Sequence, residues 1–317
     1  MKIERVTVLA GGVGAARFLR GLYALVDPRR LTVIVNTGDD EEFFGLHVSP
    51  DVDTILYTLA GIVAPGQGWG IRGDSFVCLD RLGRLYPDTW FQLGDRDLAT
   101  HIFRTDALRR GQSLTEICKT IARALRVRAQ VLPMSDDPVR TFVTIRGKPP
   151  LPFQRYLVQG RGRGRVVKIE ARGTRNARPA PGVCEAISNA SCVILPPSNP
   201  FVSIGPILGL RGVRKALQST RAPVVAISPI VAGVPIKGPL HHMLRGLGLE
   251  VSTVGVAELY RGLVDIFVLD QRDAKQAARV EALGMAAIVA DTVMTTRAKS
   301  VQLAKLVLDQ VRRRAQP

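Results

Sequence analysis

The chain has 317 residues, 46% of them hydrophobic, and carries 44 Lys and Arg against 27 Asp and Glu, a net charge of +17. That length suffices for one large α/β domain or two small ones. No stretch approaches the ~20 apolar residues of a membrane span, no export signal precedes the first apolar run, and Cys78, Cys118, Cys184 and Cys192 form no C-x-x-C pair, so a cytoplasmic protein with buried free thiols is expected.

The first predicted element is the strand Val6–Ala10, followed by Gly11-Gly12-Val13-Gly14 and a helical pattern carrying Phe18, Leu22 and Leu25. A glycine turn at a helix N-terminus offers backbone N–H groups and a positive dipole end to a phosphate. The dinucleotide fingerprint G-x-G-x-x-G asks for a third glycine, and Arg17 stands there. It also asks for an acid at the end of the second strand, and "LTVIVN" ends in Asn36. A redox dinucleotide is disfavoured on both counts, and no G-K-[ST] marks a Walker loop. Gly11, Gly12 and Gly14, with Asn36 beside them, are the candidate nucleotide-binding residues. Asp39 and Asp40 follow the second strand; such a pair can hold Mg²⁺ with substrate phosphates or cap the next turn.

Residues 45–130 interrupt the alternation and read as a mostly helical lobe inserted over the site. Ser49 and Pro50 suit the N-cap and first position of a helix. Asp51 and Asp53 fall in its first turn, flanking on opposite sides an apolar face of Val52, Ile55, Leu56 and Leu59. They either complement the helix dipole or act as a metal ligand or hydroxyl-binding carboxylate, and spacing does not choose between the two residues. "LGDRDLATHIFR" gathers Asp95, Arg96, Asp97 and His101, as an ion-paired helix start or as an arginine that binds an anion or a ring. Ser113 with Glu116 makes a capping box.

"AQVLPM", "CVILPP", "PVVAIS", "DIFVLD" and "AAIVAD" read as further buried strands. The first two run into Ser135-Asp136-Asp137-Pro138 and Ser198-Asn199-Pro200. Strands alternating with helices predict right-handed crossovers and a parallel sheet, whose ligands bind at the carboxyl ends of the strands. Residues 140–180 read as a β-hairpin excursion with "GRGRG" at the tip, and Arg155 to Arg178 carry eight basic residues against the single acid Glu170. No aromatic stands between the arginines of "GRGRGR", so a stacking platform for nucleic acid is not expected; a solvated basic face that steers polyanionic substrates is. The expected architecture is one α/β domain over residues 1–317, a Rossmann-like parallel sheet with the helical lobe and the basic hairpin as excursions.

"GGVGAARFLRGL", "VNTGDD", "SPDVDTILYTLAG", "GWGIRGDSF", "LGDRDLATHI", "LPMSDDPVRT", "PPSNPFVSIGPIL", "AISPIVAG", "VSTVGVAELYRGLVDIFVLDQRD" and "ADTVMTT" occur in this order. Together they resemble the 2-phospho-L-lactate transferase family (CofD-like), over roughly residues 5–310. The resemblance implies transfer of a phospholactyl-type group (2-phospho-L-lactate or phosphoenolpyruvate) from a guanosine-diphosphate-linked donor to the ribityl hydroxyl of the deazaflavin Fo. GMP leaves, Mg²⁺ is required, the product belongs to coenzyme F(420) biosynthesis, and the enzyme is a homodimer. The resemblance makes Asp53 the Fo-contacting carboxylate, with a catalytic part in orienting the hydroxyl and a share in the metal. Arg96 falls on the Fo side. Gly11, Gly12 and Gly14 cradle the donor's phosphates, Ser198, Asn199 and Pro200 line the guanosine-diphosphate site, and Asp136 and Asp137 stand on the metal side. Ala15 replaces a further glycine that many members carry. The alternative is a non-catalytic UDP-sugar-binding regulator of a related Rossmann-like family, which has no need of "LGDRDLATH" or "GWGIRGDSF".

Overall fold

Seven short apolar runs become the strands of one sheet. In the computed structural model, which describes residues 4–314, they are β1 (Val6–Ala10), β2 (Leu31–Val35), β3 (Gln130–Pro133), β4 (Cys192–Leu195), β5 (Val224–Ile227), β6 (Ile266–Asp270) and β7 (Ala286–Ala290). The order across the sheet is β7-β6-β5-β4-β1-β2-β3, and every neighbouring pair is parallel. Val6 lies opposite Leu31 on one side and Cys192 on the other.

Continuous apolar runs are what such strands require, because both faces of a parallel sheet are covered. Alternate residues divide between two cores. Val6, Val8, Leu31, Val33 and Ile194 join one, and Leu9, Ile34, Val193 and Leu195 join the other. The longer helices are α1 (Gly12–Leu22), α2 (Pro50–Leu59), α3 (Asp95–Arg109), α4 (Leu114–Ala124) and α5 (Arg297–Arg314). Helices α1, α2, α4 and α5 close the first core. Shorter helices, among them Val183–Ser188 and Val213–Ser219, close the second.

The chain winds from β1 outward to β3, then returns to β4 beside β1 and winds the other way. The crevice between the carboxyl ends of β1 and β4 is therefore the switch point where open α/β sheets bind ligands. Two glycines hold the turn there. Gly12 has φ +73°, a left-handed conformation, and a Cβ on Gly14 would collide with the carbonyl of Pro197 in the loop after β4.

The excursion at residues 140–172 differs from a simple hairpin. Strands Arg140–Ile145 and Val166–Arg172 pair antiparallel, and Leu151–Pro152 adds a third strand on the other edge. A helical turn, Arg155–Gln159, separates the last two in sequence. The physical reason is a small core of its own, in which Phe153 and Tyr156 pack with Val143, Val166 and Met243.

Candidate active site

A cleft of about 520 Å³ opens at this switch point, within the range of small-molecule sites. Its wall begins with Gly11, Gly12, Val13 and Gly14 and continues through Ser198 and Asn199 after β4. Ser198 Oγ donates to the Gly11 carbonyl at 2.9 Å, joining the two loops. Asn199 Oδ1 accepts from Phe201 N at 2.9 Å and so caps the turn Pro200–Ile204.

The helical lobe and the loop after β2 bring two groups of carboxylates to the cleft, the first of them against the glycine turn. Asp51 accepts from Gly12 N–H at 2.8 Å and from Asn36 Nδ2 at 2.9 Å. Its carboxyl is nevertheless pushed up to about 6 by burial, those two bonds opposing the rise and the charge of Asp40 adding to it. Asp39, from the loop after β2, is raised well above the carboxylate range by burial and then by the charge of Asp51. Asp39 Oδ1 is buried with no hydrogen-bond partner among the described residues, while Oδ2 accepts a long bond from Gln154 Nε2 at 3.4 Å. Its neighbour Asp40 turns away, accepting from Ser49 Oγ at 2.8 Å and facing His47 Nε2 at 2.9 Å.

The second group is tied to a buried arginine. Asp53 accepts from both terminal nitrogens of Arg104, whose Nη1 stands 3.1 Å from Asp53 Oδ2 and 3.3 Å from His101 Nδ1. Arg104 is 0% exposed. Burial pulls its guanidinium down, and Asp53 more than offsets this, holding it above its ordinary range. Asp97 accepts from Tyr57 Oη at 2.6 Å, and His101 Nε2 lies 3.4 Å from its Oδ1. Burial raises the Asp97 carboxyl, but the facing His101 ring, the hydrogen bond from Tyr57 and the charge of Arg104 outweigh it and leave it low. Helix geometry explains the convergence. Asp97 and His101 stand four apart on α3, His101 and Arg104 three apart, and Asp53 and Tyr57 four apart on α2.

These two groups differ as metal ligands. Asp53, Asp97 and His101 present ligand atoms within 4.8 Å of one another, but Asp53 is engaged by a permanent cation. Asp39 and Asp51 line the cleft, and Asp39 brings to the pair an oxygen with no partner among the described residues, none of whose guanidinium groups is bound to either acid. Hard oxygen ligands of that kind suit Mg²⁺.

The predicted residues thus separate. Gly11, Gly12, Gly14, Asp53, Ser198 and Asn199 line the cleft. Asn36 is buried behind Asp51, and Pro200 is buried at the start of its turn. Arg96 is exposed outside the cleft, its Nη1 donating to the Arg72 carbonyl at 3.0 Å. Asp136 accepts from Thr115 N and Oγ1 at 2.7 and 2.9 Å, and Asp137 accepts from Arg178 N at 2.8 Å. Neither reaches the cleft, because β3 is the sheet edge, two strands from β1. Sequence reasoning missed Arg104, Tyr57 and Lys237. The one signal available for Arg104 was its place three residues beyond His101 on a helix that also carries Asp97.

Residues 6–307 match the family described as 2-phospho-L-lactate transferase CofD.

The chain belongs to the CofD family.

Among its relatives, a 2-phospho-L-lactate transferase of Methanosarcina acetivorans is 41% identical over 302 residues, covering 95% of this chain and 97% of the relative. A phosphoenolpyruvate transferase of Streptomyces griseus is 40% identical over 310 residues, covering 96% and 98%. A solved structure of a UPF0052-family protein from Bacillus halodurans superposes with TM-score 0.63 at 18% identity, covering 97% of this chain and 99% of that one, a likeness of fold. No helix among the described residues is long and apolar enough to cross a membrane.

Proposed function

We propose that this CofD-family chain moves a phospholactyl-type or enolpyruvyl-type phosphate from a guanosine-diphosphate-linked donor to the ribityl hydroxyl of the deazaflavin Fo, releasing GMP. The observation that carries the reading is the juxtaposition of a glycine turn with the paired carboxylates Asp39 and Asp51 in one switch-point cleft. The names of the relatives support the reaction class.

Phosphoryl transfer needs positioning and charge neutralisation more than covalent help. The hydroxyl oxygen attacks the phosphorus that bears the lactyl or enolpyruvyl group, its proton is released to solvent, and the bond from that phosphorus to the GMP oxygen breaks. In this reading the turn at Gly11–Gly14 seats the donor's diphosphate. Asp53, held rigid by Arg104, accepts a hydrogen bond from the attacking hydroxyl and orients it. Trp69, Phe91 and Phe153 line the same cleft and offer flat apolar surface to a tricyclic acceptor. Asp39 and Asp51 are the residues that fit Mg²⁺, which when bound neutralises charge on the diphosphate. Asp136 and Asp137 have no part in this assignment. The homodimer and the placement in coenzyme F(420) synthesis go with the family reading.

The test is to mix the protein with Fo, Mg²⁺ and each guanosine-linked donor in turn, carrying phospholactate, phosphoenolpyruvate or phosphoglycerate. GMP and a new Fo phosphodiester are expected, and the best kcat/KM names the donor. Absence of product with every donor, together with absence of Fo binding, sinks the reading. Tight UDP-sugar binding without turnover would put the regulator in its place.

A further inference from the structure

The cleft has a positive end that its carboxylates do not balance. Val13, Gly14 and Arg17 all reach its wall from α1, as residues three and four apart on a helix do. Lys237 reaches it from the rim, just beyond the hairpin formed by Ile230–Val231 and Val234–Pro235. Among the described residues, neither cation has a carboxylate within ion-pair distance. Lys237 Nζ donates only to the carbonyl of Gln67, at 2.8 Å, so two of its three donors stay free.

The two charges sense each other. Partial desolvation and then the charge of Arg17 draw the Lys237 ammonium below its ordinary range. Arg17 has the same effect on Arg20, after burial, and the buried Nε of Arg20 has no partner among the described residues. Like charges gathered at one end of a concave site repel, and an anion relieves that repulsion. An arginine fork with a lysine point charge is the donor set that phosphate oxygens take. Asp51 bonds Gly12 at the start of α1, five residues before Arg17, and Asp39 lines the same cleft. The cleft is therefore bipolar, with room for a polyanion between a cation-binding pair and a cationic pair.

We propose that Arg17 and Lys237 form a clamp for the phosphates of the donor. The residue that replaces the third fingerprint glycine then has a role of its own, since it exchanges close helix packing for an anion contact. This inference rests on the reading of the cleft as the donor site.

The test is calorimetric titration of the full chain with GDP, guanosine and inorganic diphosphate, each with and without Mg²⁺. The proteins are wild type, Arg17→Gln, Arg17→Lys and Lys237→Gln. Each Gln variant is expected to lose about 10- to 100-fold in affinity for GDP and for diphosphate. Guanosine binding and the KM for Fo should not move, and Arg17→Lys should recover most of the loss. Lys237 lies on an exposed stretch, so Lys237→Gln carries the test if Arg17→Gln fails to fold. GDP affinities within twofold of wild type in both Gln variants overturn the clamp. Diphosphate binding that the variants lose, in a wild type that does not bind GDP, upholds the clamp and overturns the guanosine-linked donor. A wild type that binds neither overturns both.

Discussion

Arg104 and Asp53 form a buried pair in which each neutralises the other. Removing one partner of such a pair leaves an uncompensated charge, at about 3–5 kcal/mol. Arg104→Met should therefore lower the urea midpoint strongly, and an unchanged midpoint would show that the pair contributes nothing to the fold. Asp53→Asn keeps a neutral acceptor beside the guanidinium but loses the charge that orients it. It should cut turnover by about 10²-fold or more and, with the guanidinium left uncompensated, also lower the urea midpoint, so turnover is compared under conditions where far-UV dichroism shows the variant folded; wild-type turnover would remove Asp53 from the site. Asp51 carries a pH signature. Its folded carboxyl titrates near 6, above the ~3.9 of an unfolded chain, so the folded state takes up the extra proton. The free protein should gain stability as pH falls from about 6 toward 4, and the cost of the charged form is fully present above 6. A metal needs both acids deprotonated, and Asp39 is raised as well, so Mg²⁺ affinity should fall by about tenfold or more per unit below pH 6. A flat Mg²⁺ affinity from pH 7 to pH 5 would contradict the placement of the cation at Asp39 and Asp51.

At the scale of elements, the apolar runs and glycine breaks announced the strands, because strands covered on both faces tolerate little else. The glycine turn was legible for the same reason: β1 ends abruptly at Gly11-Gly12. What needed coordinates was sheet order. "GDD" after β2 and "SDD" after β3 look alike in the sequence, yet only the first lies next to β1. The distinction between Asp51 and Asp53 also escaped the sequence. Both were placed on opposite flanks of an apolar face, but every residue of α2 from Asp51 to Leu59 is buried, and both acids line the cleft. The turn itself makes a prediction. Gly14→Ala forces a Cβ onto the Pro197 carbonyl and should cost about 1–3 kcal/mol, as overpacking does. It should also weaken donor binding, since α1 and the loop after β4 must part. A melting temperature equal to wild type would show that the two loops are not locked together.

The whole molecule joins a switch point fixed by strand order to a lobe that supplies acids, a helix that supplies Arg17 and a loop that supplies Lys237. Much of the +17 charge is concentrated between Arg155 and Arg178, and that Arg-rich excursion is solvated, with Arg161, Arg163 and Arg165 all exposed. The cleft is different, because it keeps its two signs of charge apart. That separation was not readable from composition, which sums charge without placing it. In the proposed reaction this cleft couples cleavage of the donor to transfer onto Fo. The most direct measurement follows GMP and the Fo phosphodiester together in one reaction, for wild type and for a folded Asp51→Asn variant. Equimolar GMP and Fo product in the wild type, with both lost in the variant, is the predicted result. GMP released without Fo product, or an undiminished yield from Asp51→Asn, would contradict it.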